Sequence, residues 1–394
     1  MNDTILQVSP VPARAWLAVA ALGISAFSIV TSELAPVGML SMLAKDLNQT
    51  ESGMGLVVTA YGWVAALAAL LSCAMPARIS RKALLVALML VLTLSCLVAT
   101  HSHTMNAFMT ARMAGALAHG AFWALIGTVA AQLVPADKLG LATSIIFGGV
   151  SAASVLGVPL SSLIAGMAGW RHAFIALSML SLATAGTLFW TLPTLVAPQP
   201  IRIGVYREIF TDPVLISLFA ATACIISAHF AAFTYLEPLL TKARGVPSGS
   251  VSGLLLVSGL SGLMGNVIAG KLIDRHIKTL ILASLFLSAV ALGMLGMKSF
   301  ALLPQWVTGM LLAIWGAGIA IVFVGLQTWL LRSAGDATQA ASAIYVAIFN
   351  AAIGTGALGG GLILASSGLE DMVLMAAFVI MGSIVLVLRL KSPR

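Results

Sequence analysis

Charge is what this sequence has least of. Only 8% of its 394 residues are Asp, Glu, Lys or Arg, where soluble domains carry about 25%. Hydrophobic residues make up 60%, above the roughly 45–50% of water-soluble folds. So small a polar complement cannot cover a water-facing globule, and the chain reads as an integral membrane protein. Cysteine is also scarce. Cys73, Cys96 and Cys224 all lie in or at the ends of apolar runs. An odd count in such segments excludes a disulfide framework and fits small core residues. Aromatic residues are 7% of the chain, fewer than a drug pocket lined by rings would suggest.

Enzyme signatures are missing as well. There is no HExxH, no Walker A and no pair of intramembrane aspartates. The "GLSG" at Gly259–Gly262 matches the G-x-S-G of intramembrane serine proteases, but that chemistry needs a base histidine on a later helix. The one histidine after Ser261 is His276, in the following loop. The expectation is a protein that is not an enzyme and has no metal or cofactor site. A net charge of +8 and a pI near 9.8 would suggest nucleic acid in a soluble protein. Here the basic residues fall between apolar runs without forming a K/R-rich tract, so they read as orientation signals and no nucleic-acid partner is expected.

What is present is a succession of long apolar runs. A helix needs about 20 apolar residues to cross a bilayer. Polar breaks divide the chain into twelve such runs: 15–43, 54–76, 83–101, 105–132, 140–166, 172–192, 214–241, 250–272, 279–297, 302–331, 340–366 and 371–389. The first run is too long for the h-region of a signal peptide, with only Arg14 ahead of it, and is expected to remain as a span. With both ends cytoplasmic, fourteen Lys and Arg fall in cytoplasmic segments and five outside, with Arg112 left inside a span. That asymmetry predicts N-in, C-in topology.

The longest polar stretch runs from Pro193 to Pro213, carries four prolines and parts six spans from six. It predicts an N-terminal half (1–192), a cytoplasmic linker (193–213) and a C-terminal half (214–394). A repeat supports this division. "CAMPARISRKALL" follows span two and "GKLIDRHIKTLIL" follows span eight; Arg78 and Arg275 are 197 residues apart, as are Arg81 and Lys278. Duplicated halves are typical of transporters that work by alternating access. At these loops Arg78, Arg81, Asp274 and Arg275 can pair with each other and with helix C-termini, where the dipole is negative. Such a cluster can act as a latch that forms in one state and breaks in another.

These features resemble the major facilitator superfamily over essentially the whole chain. Its signature loop, G-x-L-x-D-R-x-G-R-[KR], is matched at Gly270, Leu272, Asp274 and Arg275, with Ile277 and Lys278 departing from it. The first copy has Cys73 for the glycine and Ala77 for the aspartate. "VLGVPLSSLIAGMAGWRHAF" resembles the span-five motif of the drug/proton antiporter branch, with Ser161 and Ser162 where glycines are commoner. Within that branch, "TSELAPVGMLSMLAKDL", "GVP" and "GWRHAF" are most similar to bacterial sugar efflux transporters. The resemblance implies an all-α membrane fold of twelve helices in two pseudo-symmetric halves. It implies proton-coupled antiport that exports arabinose-like sugars and thiogalactosides across the bacterial inner membrane, by a protein expected to be monomeric. Export of drugs such as chloramphenicol is the alternative, and a membrane sensor without transport is a more distant one.

Polar residues at membrane depth are the candidate machinery, because a charge at the bilayer centre costs ~2.5–3.5 kcal/mol on translocon scales. Glu33 is the deepest acid, and Pro36 one turn later should bend its helix. A carboxyl held there can take up and release a proton. Arg112 and His119, seven residues apart on one face of span four, could each pair with it. In the resembled fold, spans one and four face one central cavity. Glu33, His119 and Arg112 are therefore the expected proton-coupling residues. Tyr61, His119, His229, Tyr235, Gln327, Tyr345 and Asn350 could supply hydrogen bonds and ring faces to a sugar, or could be interhelical glue. Glu237, near the outer end of span seven, reads as solvated at the interface. Gly356 and Gly360 form a G-x-x-x-G match, a weak signal of dimerisation in so glycine-rich a segment.

Overall fold

The computed structural model describes residues 12–73, 80–135, 138–195, 203–300 and 304–390. Among them there is helix and no strand. The helices are α1 (Ala13–Leu34), α2 (Leu40–Asp46), α3 (Glu51–Cys73), α4 (Arg81–Thr100), α5 (Met105–Leu133), α6 (Leu139–Ala152), α7 (Val158–Ala168), α8 (Trp170–Thr191) and α9 (Ile203–Thr211). They continue as α10 (Pro213–Phe233), α11 (Leu236–Pro238), α12 (Ser248–Gly296), α13 (Gln305–Ser333), α14 (Thr338–Ser367) and α15 (Leu369–Arg389). Twelve crossings follow. The first is α1 and α2 joined by a 3-10 stretch at Ala35–Met39, and the fifth is α6 and α7 joined by a π-turn at Ala153–Gly157. The nine-residue α9 lies in the expected linker; residues 196–202 lie outside the described residues.

Crossings eight and nine differ from expectation, because the loop between them is helical. The 49-residue α12 is continuous by hydrogen bonding except at His276, whose φ of −135° leaves the helical region. A straight helix of that length would span ~74 Å at 1.5 Å per residue. Yet Arg244, just before its start, donates to the carbonyl of Met294 near its end at 3.1 Å, and also to Leu295. The two ends are side by side, so α12 folds back at His276 and makes two crossings. Gly270 to Leu280 holds no proline or further glycine to stop the helix, whereas the equivalent first loop carries Pro76.

The end of the bundle where α8 stops and α10 starts is called here the linker face. Arg14, at the start of α1, bonds the Trp190 carbonyl at 3.2 Å and Lys278 bonds the Leu388 and Leu390 carbonyls at 2.8 Å, so both ends of the described chain lie on this face. The duplicated positions have matching surroundings. The Arg81 amide meets the Leu195 carbonyl beyond α8, and Lys278 caps the end of α15.

On the opposite face, Asp46 at the end of α2 accepts from Trp170 Nε1 at 3.1 Å and Arg171 at 2.6 Å, and Arg171 also bonds the Ser102 carbonyl. The "GWR" sequence thus staples three crossings of the first half together. Close packing joins the halves along two seams, α3 on α14 and the α6–α7 crossing on α12. At Gly62 a Cβ would lie 2.7 Å from the Gly354 amide nitrogen, and at Gly259 one would lie 2.6 Å from Val155 Cα. Gly356 and Gly360 press on Ser227 and Ala231 of α10. That G-x-x-x-G is therefore used in packing inside the molecule.

Candidate functional site

The site is built on the break in the first crossing. Pro36 has no N–H, so the carbonyl of Ser32, four residues earlier, lacks its helical donor. α1 ends at Leu34, and Met39 (φ −144°) lies outside helical geometry before α2 begins. Arg112 of α5 supplies the missing donor. Its Nη2 lies 2.8 Å from Ser32 O and its Nη1 lies 3.0 Å from Ser32 Oγ. The guanidinium sits 4.6 Å from the Tyr61 ring centroid and 5.5 Å from that of Phe174, both cation–π distances. Arg112 is 1% exposed, so it does not snorkel to the surface.

Glu33 meets the other candidate. His119 Nδ1 stands 3.8 Å from Glu33 Oε2, with both residues buried. Of the two cations expected to answer Glu33, His119 faces the carboxylate, while the hydrogen bonds of Arg112 go to the neighbouring residue. Tyr61 packs edge-on against His119 at 5.6 Å, and Asn350 of α14 stands beside the same imidazole. Buried polar atoms here lack partners: Glu33 Oε1, His119 Nδ1, Tyr61 Oη and Asn350 Oδ1. Native proteins leave few such atoms, and each calls for an explanation. Together they outline a place where a proton or a polar solute can be exchanged.

His229 of α10 lies in an aromatic cluster. Its ring stacks on Phe233 at 5.2 Å and 20°, and meets Phe230 at 4.9 Å, Trp315 at 5.2 Å and Phe323 at 5.5 Å edge-on. Phe323 continues to Phe349 at 5.2 Å, which neighbours Tyr345 at 6.1 Å. A chain of rings thus runs from His229 through Phe323 and Phe349 to Tyr345. His229 Nδ1 and Trp315 Nε1 are buried without partners. Sequence reasoning missed Phe233, Trp315 and Phe323. Their spacing was the signal, since 229 and 233 share a helix face, as do 315 and 323. Chain-average aromatic content concealed this concentration.

Other expected residues fall elsewhere. Gln327 is part-exposed, one turn past Phe323 toward the linker face. Tyr235 lies toward the opposite face, its hydroxyl donating to the Ala357 carbonyl at 2.7 Å and its ring against Gly55. Asp274 pairs with Arg332 of α13 rather than with Arg275, which is exposed. Arg81 is 5% exposed, and Arg78 lies outside the described residues. Glu237 corrects its interfacial reading, because it is 6% exposed and accepts from the Ser41 amide at 2.8 Å. A surface groove of about 320 Å³ between α1 and α6 is apolar and includes none of the site residues. Among the described residues no cluster of His, Cys, Asp and Glu could hold a metal ion.

The sequence model of the Major Facilitator Superfamily matches residues 21–356. The chain belongs to this superfamily. It is a multi-pass membrane protein with the superfamily's twelve-helix, all-α fold. A D-xylose-proton symporter has a similar structure, with TM-score 0.74, 17% identity, and 96% of this chain and 98% of that one covered. A bacterial homologue of the human lysosomal transporter Spinster, solved inward-facing and unoccupied, gives 0.70 at 12% identity, with 96% and 95% covered. The human organic anion transporter MFSD10 (TETRAN) gives 0.69 at 15%, with 95% and 99% covered. Members of the superfamily are transporters, and membrane transport is the general activity this places on the chain.

Proposed function

We propose that this superfamily member exports small sugars and sugar-like compounds, arabinose and thiogalactosides among them, in exchange for protons. It works in the bacterial inner membrane as a monomer, with the linker face and both termini cytoplasmic and residues 1–192 and 214–394 rocking about the central site. The observation that carries the reading is the Glu33–His119 pair at the break in the first crossing. It is a buried carboxylate with one oxygen unpartnered, facing an imidazole that also touches Asn350 of the other half. A proton on this pair changes what His119 can offer Asn350, which links proton binding to the seam between the halves. Side-chain hydrogen bonds join the halves toward the opposite face at Trp63–Thr355, Ser52–Gly361, Ser162–Ser252, Ser41–Glu237 and Glu51–Lys242. They support a state in which the opposite face is closed.

A second reading, drug/proton antiport, is favoured by one observation, the rings gathered around His229. Both readings are tested by flux into proteoliposomes under an imposed pH gradient with labelled arabinose, a thiogalactoside and chloramphenicol. Gradient-driven movement of the sugars, lost in Glu33→Gln while counterflow survives, is the expected result. Full gradient-driven accumulation by Glu33→Gln would overturn the coupling assignment. Movement of chloramphenicol alone would replace sugar export by drug export.

A further inference from the structure

The second buried carboxylate is not accounted for by this mechanism. Glu237 belongs to the second half, yet its Oε2 accepts from the backbone amide of Ser41 in the first half at 2.8 Å. That amide is free because of the same break that exposes Ser32. α2 restarts after Met39, which provides no side-chain cap. Four amides at the start of any helix lack intrahelical acceptors. Glu237 thus holds the far segment of the first crossing across the gap between the halves. The groups facing it are Ser41 on α2, Glu51 on α3, and Thr241 and Lys242 on the turn that follows α11. Lys242 pairs with Glu51, again across the halves, and Ser41 Oγ donates to Glu51 at 3.4 Å. Lys242 is 56% exposed and Glu51 22%, so water reaches the rim of this cluster from the opposite face.

We infer that Glu237 is a second proton-binding residue, distinct from Glu33, and that its ionised carboxylate locks the opposite face shut. The lock is a charge-assisted hydrogen bond, about twice as strong as a neutral one. Adding a proton to Glu237 leaves one neutral oxygen for the Ser41 amide and leaves Lys242 with Glu51 as its only facing carboxylate. The bond that joins α2 to the second half weakens, and the opposite face is freed to part. Asp46 keeps α2 attached to the first half through Trp170 and Arg171. The weakened contact is therefore the one between the halves.

The test is distance measurement between spin labels on the opposite face, one at His103→Cys in the first half and one at Gly249→Cys in the second. The full-length protein is used in a background without the three native cysteines. No substrate is needed, so the outcome is independent of whether sugars are exported. At neutral pH a short distance should dominate, and a longer population should grow as pH falls. Glu237→Gln, which imitates the protonated form and keeps an acceptor, should show the longer population at every pH. A distribution in Glu237→Gln identical to the parent's at every pH overturns the proposal, as does a parent distance that does not change with pH. If Glu237→Gln is not recovered folded, Glu237→Asp replaces it: its shorter side chain draws the carboxylate away from the Ser41 amide, so it should also show the longer population at neutral pH, and a distribution identical to the parent's overturns the proposal.

Discussion

Arg112 donates at 2.8 Å to the carbonyl of Ser32, the backbone acceptor that Pro36 deprives of its helical donor. An arginine at membrane depth is costly, and here much of the cost is offset by an acceptor that the sequence itself sets free. A hydrogen bond to a charged group contributes about 1.5–3 kcal/mol, and leaving its buried partner unsatisfied costs about 1–3 kcal/mol. Arg112→Ala should therefore destabilise the folded protein by a few kcal/mol. Pro36→Ala gives Ser32 a donor of its own, so Arg112→Ala should cost about 1 kcal/mol less in that background. Thermal unfolding of the four proteins of this double-mutant cycle in detergent gives the coupling. Strict additivity would mean that Arg112 does not act on this carbonyl.

His119 and Arg112 are predicted to differ in kind. His119 faces the Glu33 carboxylate at 3.8 Å, whereas Arg112 holds the backbone beside it. His119→Gln should change the shape of the pH profile of exchange, because a neutral amide cannot follow the carboxyl through its titration. Arg112→Lys loses the two-pronged contact with Ser32 and should reduce the amount of folded protein. The transporters that remain should keep the parent's pH profile. Flux measured from pH 5 to 9 and normalised to folded protein distinguishes them; the same displaced profile in both variants would remove the distinction.

The central polar residues were legible in the sequence for one physical reason. Glu33, Arg112 and His119 stand out because charge and apolar runs rarely coincide, and Pro36 announces the break. Their partners were not legible. Whether Arg112 reaches the Glu33 carboxylate or the Ser32 carbonyl depends on how α5 is rotated against α1, and no local pattern encodes that. Glu237 was placed near the outer end of its span, but its burial was missed, because what covers it comes from the other half. The chain turns at Thr234–Tyr235, and α2 of the other half covers the carboxylate. The reversal at Asp274–Lys278 was legible from its charges, but not that it runs through helical backbone with His276 leaving helical geometry.

The signature loop should contribute conformational bias rather than stability. Asp274 pairs with Arg332 on the linker face, but the Asp274 side chain is 76% exposed. Exposed ion pairs contribute about 0.2–1 kcal/mol and are screened by salt. Asp274→Asn should leave the unfolding temperature nearly unchanged while altering how readily a cysteine placed at Gln327 reacts with a water-soluble thiol reagent. Arg332→Gln should have the same effect, and the double variant should add nothing. Independent effects of the two single substitutions would rule out the pair as the working element.

The ring cluster makes the sharpest prediction about substrate choice. Phe233 stacks on His229 at 20° and also lies 6.2 Å from Trp315 edge-on, so it joins the two groups whose polar atoms are left free. An aromatic pair is worth about 0.5–1.5 kcal/mol beyond the area it buries, which corresponds to about a twofold to roughly tenfold change in affinity. Phe233→Leu keeps most of the volume and removes the ring face. If an aryl group of the substrate inserts into this cluster, the apparent KM for an aryl thiogalactoside and for chloramphenicol should rise about tenfold, with arabinose changed less than about threefold. If the cluster only positions His229, all three should weaken together, because a misplaced imidazole affects every substrate that hydrogen-bonds to it. Competition assays in proteoliposomes with the three compounds give both answers from one protein, with Phe230→Leu, on the other side of the same imidazole, as the check that loss of one ring is not felt equally everywhere.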